Sequence, residues 1–155
     1  MGTIKSSIET ARTQISGAST ALNSLANNTY VAIGTITHTT NDPLDSKLEI
    51  KVTPGTVSGN KRVTVFLQAS LDGTNFESGP TSGTSATDEP NLRYVGEIPC
   101  NTNSTVQTRI FDLAAAYPSG ALPYASKVIV RNETGAALAS SGNDAWAAET
   151  WGVTA

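Results

Sequence analysis

Side chains able to do catalytic chemistry are few in this sequence. Its 155 residues include one histidine, His38, and one cysteine, Cys100. Nucleophilic catalysis by a Ser-His-Asp or Cys-His set needs an imidazole as base. His38 lies in a Thr-rich stretch, and the chain has no G-x-S-x-G motif. We therefore interpret His38 as an exposed strand residue, and Cys100 as a small residue beside Pro99 near a strand end.

The 13 carboxylates offer weak alternatives. A glycosidase needs two of them about 5–10 Å apart, but most fall in turns or on the polar side of alternating segments. Oxygen ligands for calcium cluster at residues 41–45 and 72–75, where Asn-Asp-Pro and Asp-Gly are also ordinary turn formers. Zinc would need a His/Cys cluster, and phosphate binding a Gly-rich loop; the sequence has neither. We expect no catalytic residue, no cofactor and no metal, and no enzyme activity.

The composition narrows the classes of partner. Only 15% of residues are charged and the net charge is −3, so a nucleic-acid binder, which carries a cationic excess, is disfavoured. No segment resembles a secretory signal or the 18 or more apolar residues of a membrane span. A lone cysteine excludes an intramolecular disulfide framework, and we expect maturation in a reducing cytoplasm. The neutral polar surface is supplied by 22 Thr, 16 Ser and 11 Asn.

Along the first 25 residues, apolar side chains recur at alternating steps of four and three. This spacing predicts an N-terminal helical arm over residues 1–28, ending at Asn27 and Asn28. Because Gly17 and many Ser and Thr weaken such a helix, it needs a partner surface, either its own β body or another protein. Its few charges favour docking onto a protein surface or self-association. The residues of this stripe are Ile4, Ile8, Ala11, Ile15, Ala18, Leu22 and Leu25.

From residue 29 onward the apolar period becomes two, as in strands with one wet face. About eight short strands separated by turns predict an antiparallel β-sandwich, jelly-roll-like, over residues 29–155. The fold class is therefore all-β, preceded by one N-terminal α-helix. Residues 48–53 and 62–69 are expected to form a hairpin, and residues 136–139 a short strand. Two stretches, 77–91 and 117–124, are predicted to be special loops, the first long and exposed.

Three segments resemble strands and turns of phage virion proteins. They are residues 61–76 (KRVTVFLQASLDGTNF), 109–116 (RIFDLAAA) and 127–138 (KVIVRNETGAAL). With the Ser/Thr-rich leading segment, the chain resembles tailed-bacteriophage structural proteins of capsid-decoration, or cement, type. That resemblance implies a non-enzymatic virion protein that is assembled in the host cytoplasm. It also implies binding to the major capsid protein or other virion proteins, often as a homo-oligomer, with a trimer favoured. Tail and collar components look similar.

A second resemblance is to galactose-binding-like jelly rolls. Residues 70–76, Ser-Leu-Asp-Gly-Thr-Asn-Phe, fit the strand and turn of that group. Tyr117, Tyr124, Trp146 or Trp151 could stack on a sugar, although aromatic residues more often serve the core or an interface. Three classes therefore compete: structural cement, a carbohydrate-binding module and a carboxylate hydrolase, in falling order.

Overall fold

The computed structural model describes the backbone of residues 4–38 and 43–154, and the side chains of residues 10–38 and 43–151. Two antiparallel sheets face each other. Strands in chain order are β1 (Ile4–Glu9), β2 (Thr13–Gln14), β3 (Tyr30–Thr37), β4 (Asp45–Val52), β5 (Arg62–Ser70), β6 (Ser82–Gly83), β7 (Arg93–Pro99), β8 (Gln107–Asp112), β9 (Ala125–Glu133) and β10 (Asp144–Thr154). One short helix, α1 (Ala18–Leu22), precedes β3. The all-β sandwich expected from the sequence is confirmed.

The strand order is that of a jelly roll. The first sheet runs β1-β10-β4-β8, with β2 also on the edge of β10, and the second runs β6-β3-β9-β5-β7. Leaving aside the two-residue strands β2 and β6, eight strands remain. The first of these pairs with the eighth, the second with the seventh, the third with the sixth and the fourth with the fifth. This nested antiparallel ribbon, split between two sheets, is the double-sheet jelly roll.

Alternation within the strands fills the space between the sheets. In β4, Leu48, Ile50 and Val52 are fully buried, while the residues between them are partly exposed. In β5, Val63, Val65 and Leu67 occupy the same core from the opposite sheet. Burial of such side chains is the main source of stability, at about 1.5–3 kcal/mol each.

The outer face of the second sheet is covered by the long loop between β5 and β7, residues 71–92. Outward-facing Phe66 and Ile129 form a small second core with Tyr30 and with Leu92 of the loop. The tip of the loop adds β6 to the edge of β3, and its 3₁₀ turn (Glu89–Asn91) bonds to the sheet through Arg131. Most of residues 77–91 are themselves exposed or half-buried, as expected.

The predicted N-terminal helix is wrong. Residues 4–9 form β1 against β10, and only Ala18–Leu22 are α-helical. The i, i+4 spacing of Ile4 and Ile8 suits both periods, because residues four apart also share a face of a strand. Gly17, at φ +85°, starts the short helix, and β-branched Ile and Thr before it favour pairing with the edge of β10.

The apolar stripe does not form one docking surface. The chain is therefore not divided into a helical arm and a separate β domain. Leu22 and Ala18 are fully buried, and Ile15 and Leu25 nearly so, in the core between the two sheets. Ala11 is exposed, and the side chains of Ile4 and Ile8 lie outside the described part. The segment 15–25 therefore contributes the side chains of Ile15, Ala18, Leu22 and Leu25 to the sandwich interior.

Two further local predictions are wrong. Strands β4 and β5 do not form a hairpin, since β4 pairs with β10 and β8 whereas β5 pairs with β7 and β9. Their connection, residues 53–61, crosses from one sheet to the other. Instead of a strand, residues 136–139 make one isolated bridge, Leu138 opposite Pro54. Alternation shows which residues form strands, but not which strands pair.

The loops gather at two ends. At one end, residues 53–61, 100–106 and 134–143 are joined by backbone bonds such as Ser58 N–H to Thr134 O at 2.7 Å. At the other end lie residues 43–44, 71–77 and 113–124, which we call the cleft end. Within the described residues, no helix has the length and hydropathy needed to cross a membrane.

Candidate binding cleft

A cleft of about 930 Å³ opens at the cleft end, between the turn after β5 and the loop before β9. This volume is within the range of small-molecule and peptide-side-chain sites. Its walls are mainly apolar, and its floor carries one ion pair. The residues that line it include Leu71, Phe76, Glu77, Arg93, Tyr117 and Leu122.

The turn that forms one wall is built by Asp72. Its Oδ1 accepts hydrogen bonds from the backbone N–H of Asn75 at 2.7 Å and of Thr74 at 2.8 Å, and its Oδ2 accepts from the Asn75 side chain. These bonds hold the pKa of Asp72 well below its ordinary value, and the bond from the Asn75 N–H contributes most. The two carboxylate oxygens of Asp72 thus accept hydrogen bonds within the turn itself, an Asx turn. Residues 41 and 42 of the other stretch predicted to offer calcium ligands lie outside the described residues.

The turn presents Leu71 outward. Gly73 adopts φ +75°, and a Cβ there would lie 3.0 Å from the ring of Tyr124, so glycine is needed both for the conformation and for the close approach. With Tyr124 packed beneath it, the turn holds Leu71 at its tip, where the side chain is 87% exposed.

Arg93 and Glu77 form the floor. The Arg93 Nε–H donates to Glu77 Oε2 at 2.9 Å, and a second guanidinium N–H donates to Oε1. The Ala69 N–H donates to the same carboxylate at 2.9 Å. The bond from Arg93 is the main cause that lowers the pKa of Glu77. Arg93 also stacks over Tyr117, 5.2 Å from the ring centroid, and so connects the two walls.

A buried chain of hydroxyl and imidazole groups anchors the second wall. The Tyr117 hydroxyl lies 2.6 Å from Ser126 Oγ, which lies 2.8 Å from His38 Nε2. His38 Nδ1 is in turn 2.9 Å from Ser46 Oγ. Since a neutral imidazole offers one donor and one acceptor, both ring nitrogens are satisfied. The chain connects the 113–124 loop to β9, β4 and the end of β3.

Burial changes the chemistry of this chain. His38 is only 4% exposed, so the expectation of an exposed histidine is wrong. Burial lowers the pKa of His38 to about 4, and it raises the pKa of Tyr117. Cys100 is also buried, and its thiol pKa is raised to about 11. At neutral pH these groups are held uncharged.

A second cavity of about 380 Å³ adjoins the first and shares residues 121–123 with it. Leu44, 56% exposed, and Tyr124, 43% exposed, lie along this cavity, as Leu71 lies along the first. The cleft end therefore presents three large apolar side chains around the cleft and the adjoining second cavity.

The sequence-predicted site residues are only partly brought together. Of the four aromatic residues considered for sugar stacking, Tyr117 and Tyr124 lie at the cleft end. Trp146 lies elsewhere, with the guanidinium of Arg12 4.3 Å from its ring centroid, and Trp151 lies near the end of β10. The sequence pattern predicts a turn or a loop for both segments that form the walls. The ion pair across the floor and the buried histidine chain had no local signal.

The two carboxyl groups of this cleft are poorly suited to act as a general acid. A general acid in a glycosidase needs a carboxyl whose pKa is raised. Here Asp72 and Glu77 both have lowered pKa values, because hydrogen bonds stabilise their charged forms. Among the described residues there is also no group of three or more His, Cys, Asp or Glu placed to hold a metal ion.

No protein-family model matches the sequence, and no curated protein matches it.

Proposed function

We propose that this chain is a non-enzymatic virion structural protein, of the capsid-decoration type, which binds the assembled shell of a tailed phage through its cleft end. The observation that carries the proposal is the exposure of Leu71, Leu44 and Tyr124 around two adjoining cavities at the cleft end. Apolar surface of this kind marks contact sites between proteins. The resemblance of three segments to phage virion proteins supports a virion protein as the partner.

The groups that frame this surface support association. Glu77 and Arg93 bond to each other, Asp72 bonds within its own turn, and the outermost side chain is Leu71. Since the turn and the loop are fixed before any partner arrives, little conformational entropy remains to be lost on binding. A preformed apolar surface is suited to a partner that is itself ordered, such as a capsid lattice.

The mechanism is mass action. A protein that binds the assembled shell but not its separated subunits stabilises the assembly, and the stabilisation grows with the logarithm of its concentration once this exceeds Kd. The partner is the major capsid protein or another virion protein, and the location is the virion, after assembly in the host cytoplasm. We expect a homo-oligomer, with a trimer favoured, and no contact with nucleic acid or membrane. The alternative is that the protein is a structural component of the tail or collar.

The test is co-sedimentation with purified capsids. Removing the apolar contact of one leucine forfeits about 1.5–3 kcal/mol, so Leu71→Asp should weaken binding by about 10- to 100-fold. The matched control is Val106→Asp, which changes an apolar residue with 53% exposure near the start of β8, at the opposite end. Binding by this control should stay as in the parent. Equal binding by both variants, or no binding by the parent protein, would contradict the proposal.

A carbohydrate-binding module is the second candidate. The observation that favours it is the cleft itself, which lies beside the Asp72 turn and near Tyr117 and Tyr124. Tyr117 is nearly buried and one face of its ring is taken by Arg93, so Tyr124 is the aromatic residue left for stacking. Titration calorimetry with galactosides and other oligosaccharides tests this candidate. Heat of binding that disappears in Tyr124→Ala would favour it over the capsid proposal.

A further inference from the structure

Strand β1 is held by one neighbour. Its extensive contacts within the described structure are with β10, where Glu9 lies opposite Thr150 and Ile8 opposite Trp151. The pairing resumes at β2, with Thr13 opposite Ala147, so the register shifts by one residue across positions 10–12. The Thr10 N–H still donates to Glu149 O at 3.0 Å, so the shift falls after Thr10, and a strand bends where an extra residue interrupts its ladder.

The part of β10 that binds β1 extends past the rest of its sheet. Strand β4 begins with Asp45 opposite Thr150, so residues 151–154 of β10 pair with β1 alone among the described strands. Among the described residues, the sheet beyond Thr150 consists of β1 and β10. A two-stranded ribbon is only marginally stable in water, and its open backbone groups invite pairing with another chain.

The chain is fixed immediately after the connection. The Gln14 side chain donates to Asp144 at 2.5 Å, the Ile15 N–H donates to Ala145 O at 2.9 Å, and the Ile15 side chain is in the core. Arg12 pairs with Glu49 and stacks on Trp146. The segment before it has a firm base, and six residues at about 3.3 Å each reach roughly 20 Å from that base.

We propose that β1 exchanges between copies of this chain, so that β1 of one protomer pairs with β10 of the next. The partner is a second copy because the strand that pairs with this edge of β10, at residues 150–154, is β1 itself. Closed and exchanged forms contain the same strand pairs, so the connection at residues 10–12 and any new contact between protomers decide the balance. This inference holds whether or not the chain binds a capsid.

A pair of cysteines placed opposite each other tests the exchange. Ser7 lies directly opposite Gly152, and opposite residues of an antiparallel pair are about 4.5–5.5 Å apart, within disulfide range. After oxidation, Ser7→Cys/Gly152→Cys should give covalently linked chains on a denaturing gel. The matched control is Lys51→Cys/Thr108→Cys, on the pair β4–β8, which should give single chains only. Cys100 is buried and does not interfere.

The two single-cysteine variants, Ser7→Cys and Gly152→Cys, report random cross-linking. Ser7→Pro, in the full chain, gives a second and independent measurement, because proline cannot donate to a strand ladder. Light scattering should show Ser7→Pro as a monomer beside an oligomeric parent, with the cooperative melt retained. Single chains alone from Ser7→Cys/Gly152→Cys, or the same mass for Ser7→Pro and the parent, would overturn the proposal. Neither readout involves capsids, so the exchange and the proposed function can fail separately.

Discussion

Acidification should destabilise this protein through His38, the one histidine of the chain. In the folded state the imidazole is buried between Ser46 and Ser126, and its pKa is lowered to about 4 from an ordinary 6.5. The unfolded chain therefore binds a proton more readily than the folded one. Stability is complete above pH 6.5 and is lost as the pH falls towards 4.

The magnitude follows from the two pKa values. Proton linkage gives a loss of about 2 kcal/mol at pH 5 and about 3 kcal/mol at pH 4, relative to pH above 7. Carboxylates with lowered pKa, such as Glu77 and Glu133, add their own losses, but only as the pH falls below the unfolded value near 4.5. Between pH 7 and 5, the loss of stability thus comes mainly from His38.

Urea unfolding followed by tryptophan fluorescence at pH 7, 6 and 5 measures this loss. In His38→Gln, the free energy of unfolding should be lower at pH 7, since a buried site is altered, but nearly constant down to pH 5. The matched control, Ser126→Ala, keeps the imidazole and should keep the pH dependence. Parallel losses in His38→Gln and the parent between pH 7 and 5 would refute the reasoning, as would an imidazole that titrates near 6.5 by NMR in the folded protein.

Three other substitutions probe the fold and the cleft. Leu22→Ala should lower the free energy of unfolding by about 2–5 kcal/mol in urea melts, because Leu22 is fully buried in the sandwich core; an effect near zero would show that residues 15–25 are not part of it. Gly73→Ala should cost about 1–2 kcal/mol by the same melts, since it forces a positive φ on an L-residue, whereas Gly59→Ala, also at positive φ but with open space, reports the strain without the Tyr124 contact. Arg93→Lys should loosen the cleft, seen as faster proteolysis of residues 117–124, because lysine cannot make the two-pronged bond to Glu77; unchanged cleavage would mean that the ion pair does not hold the loop.

The sequence predicts the strands from residue 30 onward because alternation is a local property. Leu48, Ile50 and Val52 alternate with charged residues, and any pairing that buries one face keeps that pattern. The assignment of β4 and β5 to different sheets depends on contacts between residues far apart, which alternation does not encode. Between Ile4 and Ile8 the apolar spacing suits both a helix and a strand, so the available edge of β10 decides.

The candidate site shows the same division. Asp72 and Gly73 indicate a turn by their own chemistry, and the Pro- and Gly-containing stretch at residues 117–124 indicates a loop. The burial of His38 depends on Ser126, 88 residues away, and the bond between Glu77 and Arg93 depends on the pairing of β5 with β7. Local patterns thus locate the walls of the cleft, while the groups that fix them are known only from the folded chain.

The position of β10 has a consequence for synthesis on the ribosome. This strand lies between β1 and β4, so the first sheet lacks its inner strand until residues 144–154 have left the exit tunnel. Contacts between distant parts of a chain slow folding, and unpaired edges are exposed meanwhile. The second sheet, complete once β9 has emerged, can form first and serve as a template. The first sheet is therefore finished only after β10 has emerged, when the second sheet can already be in place.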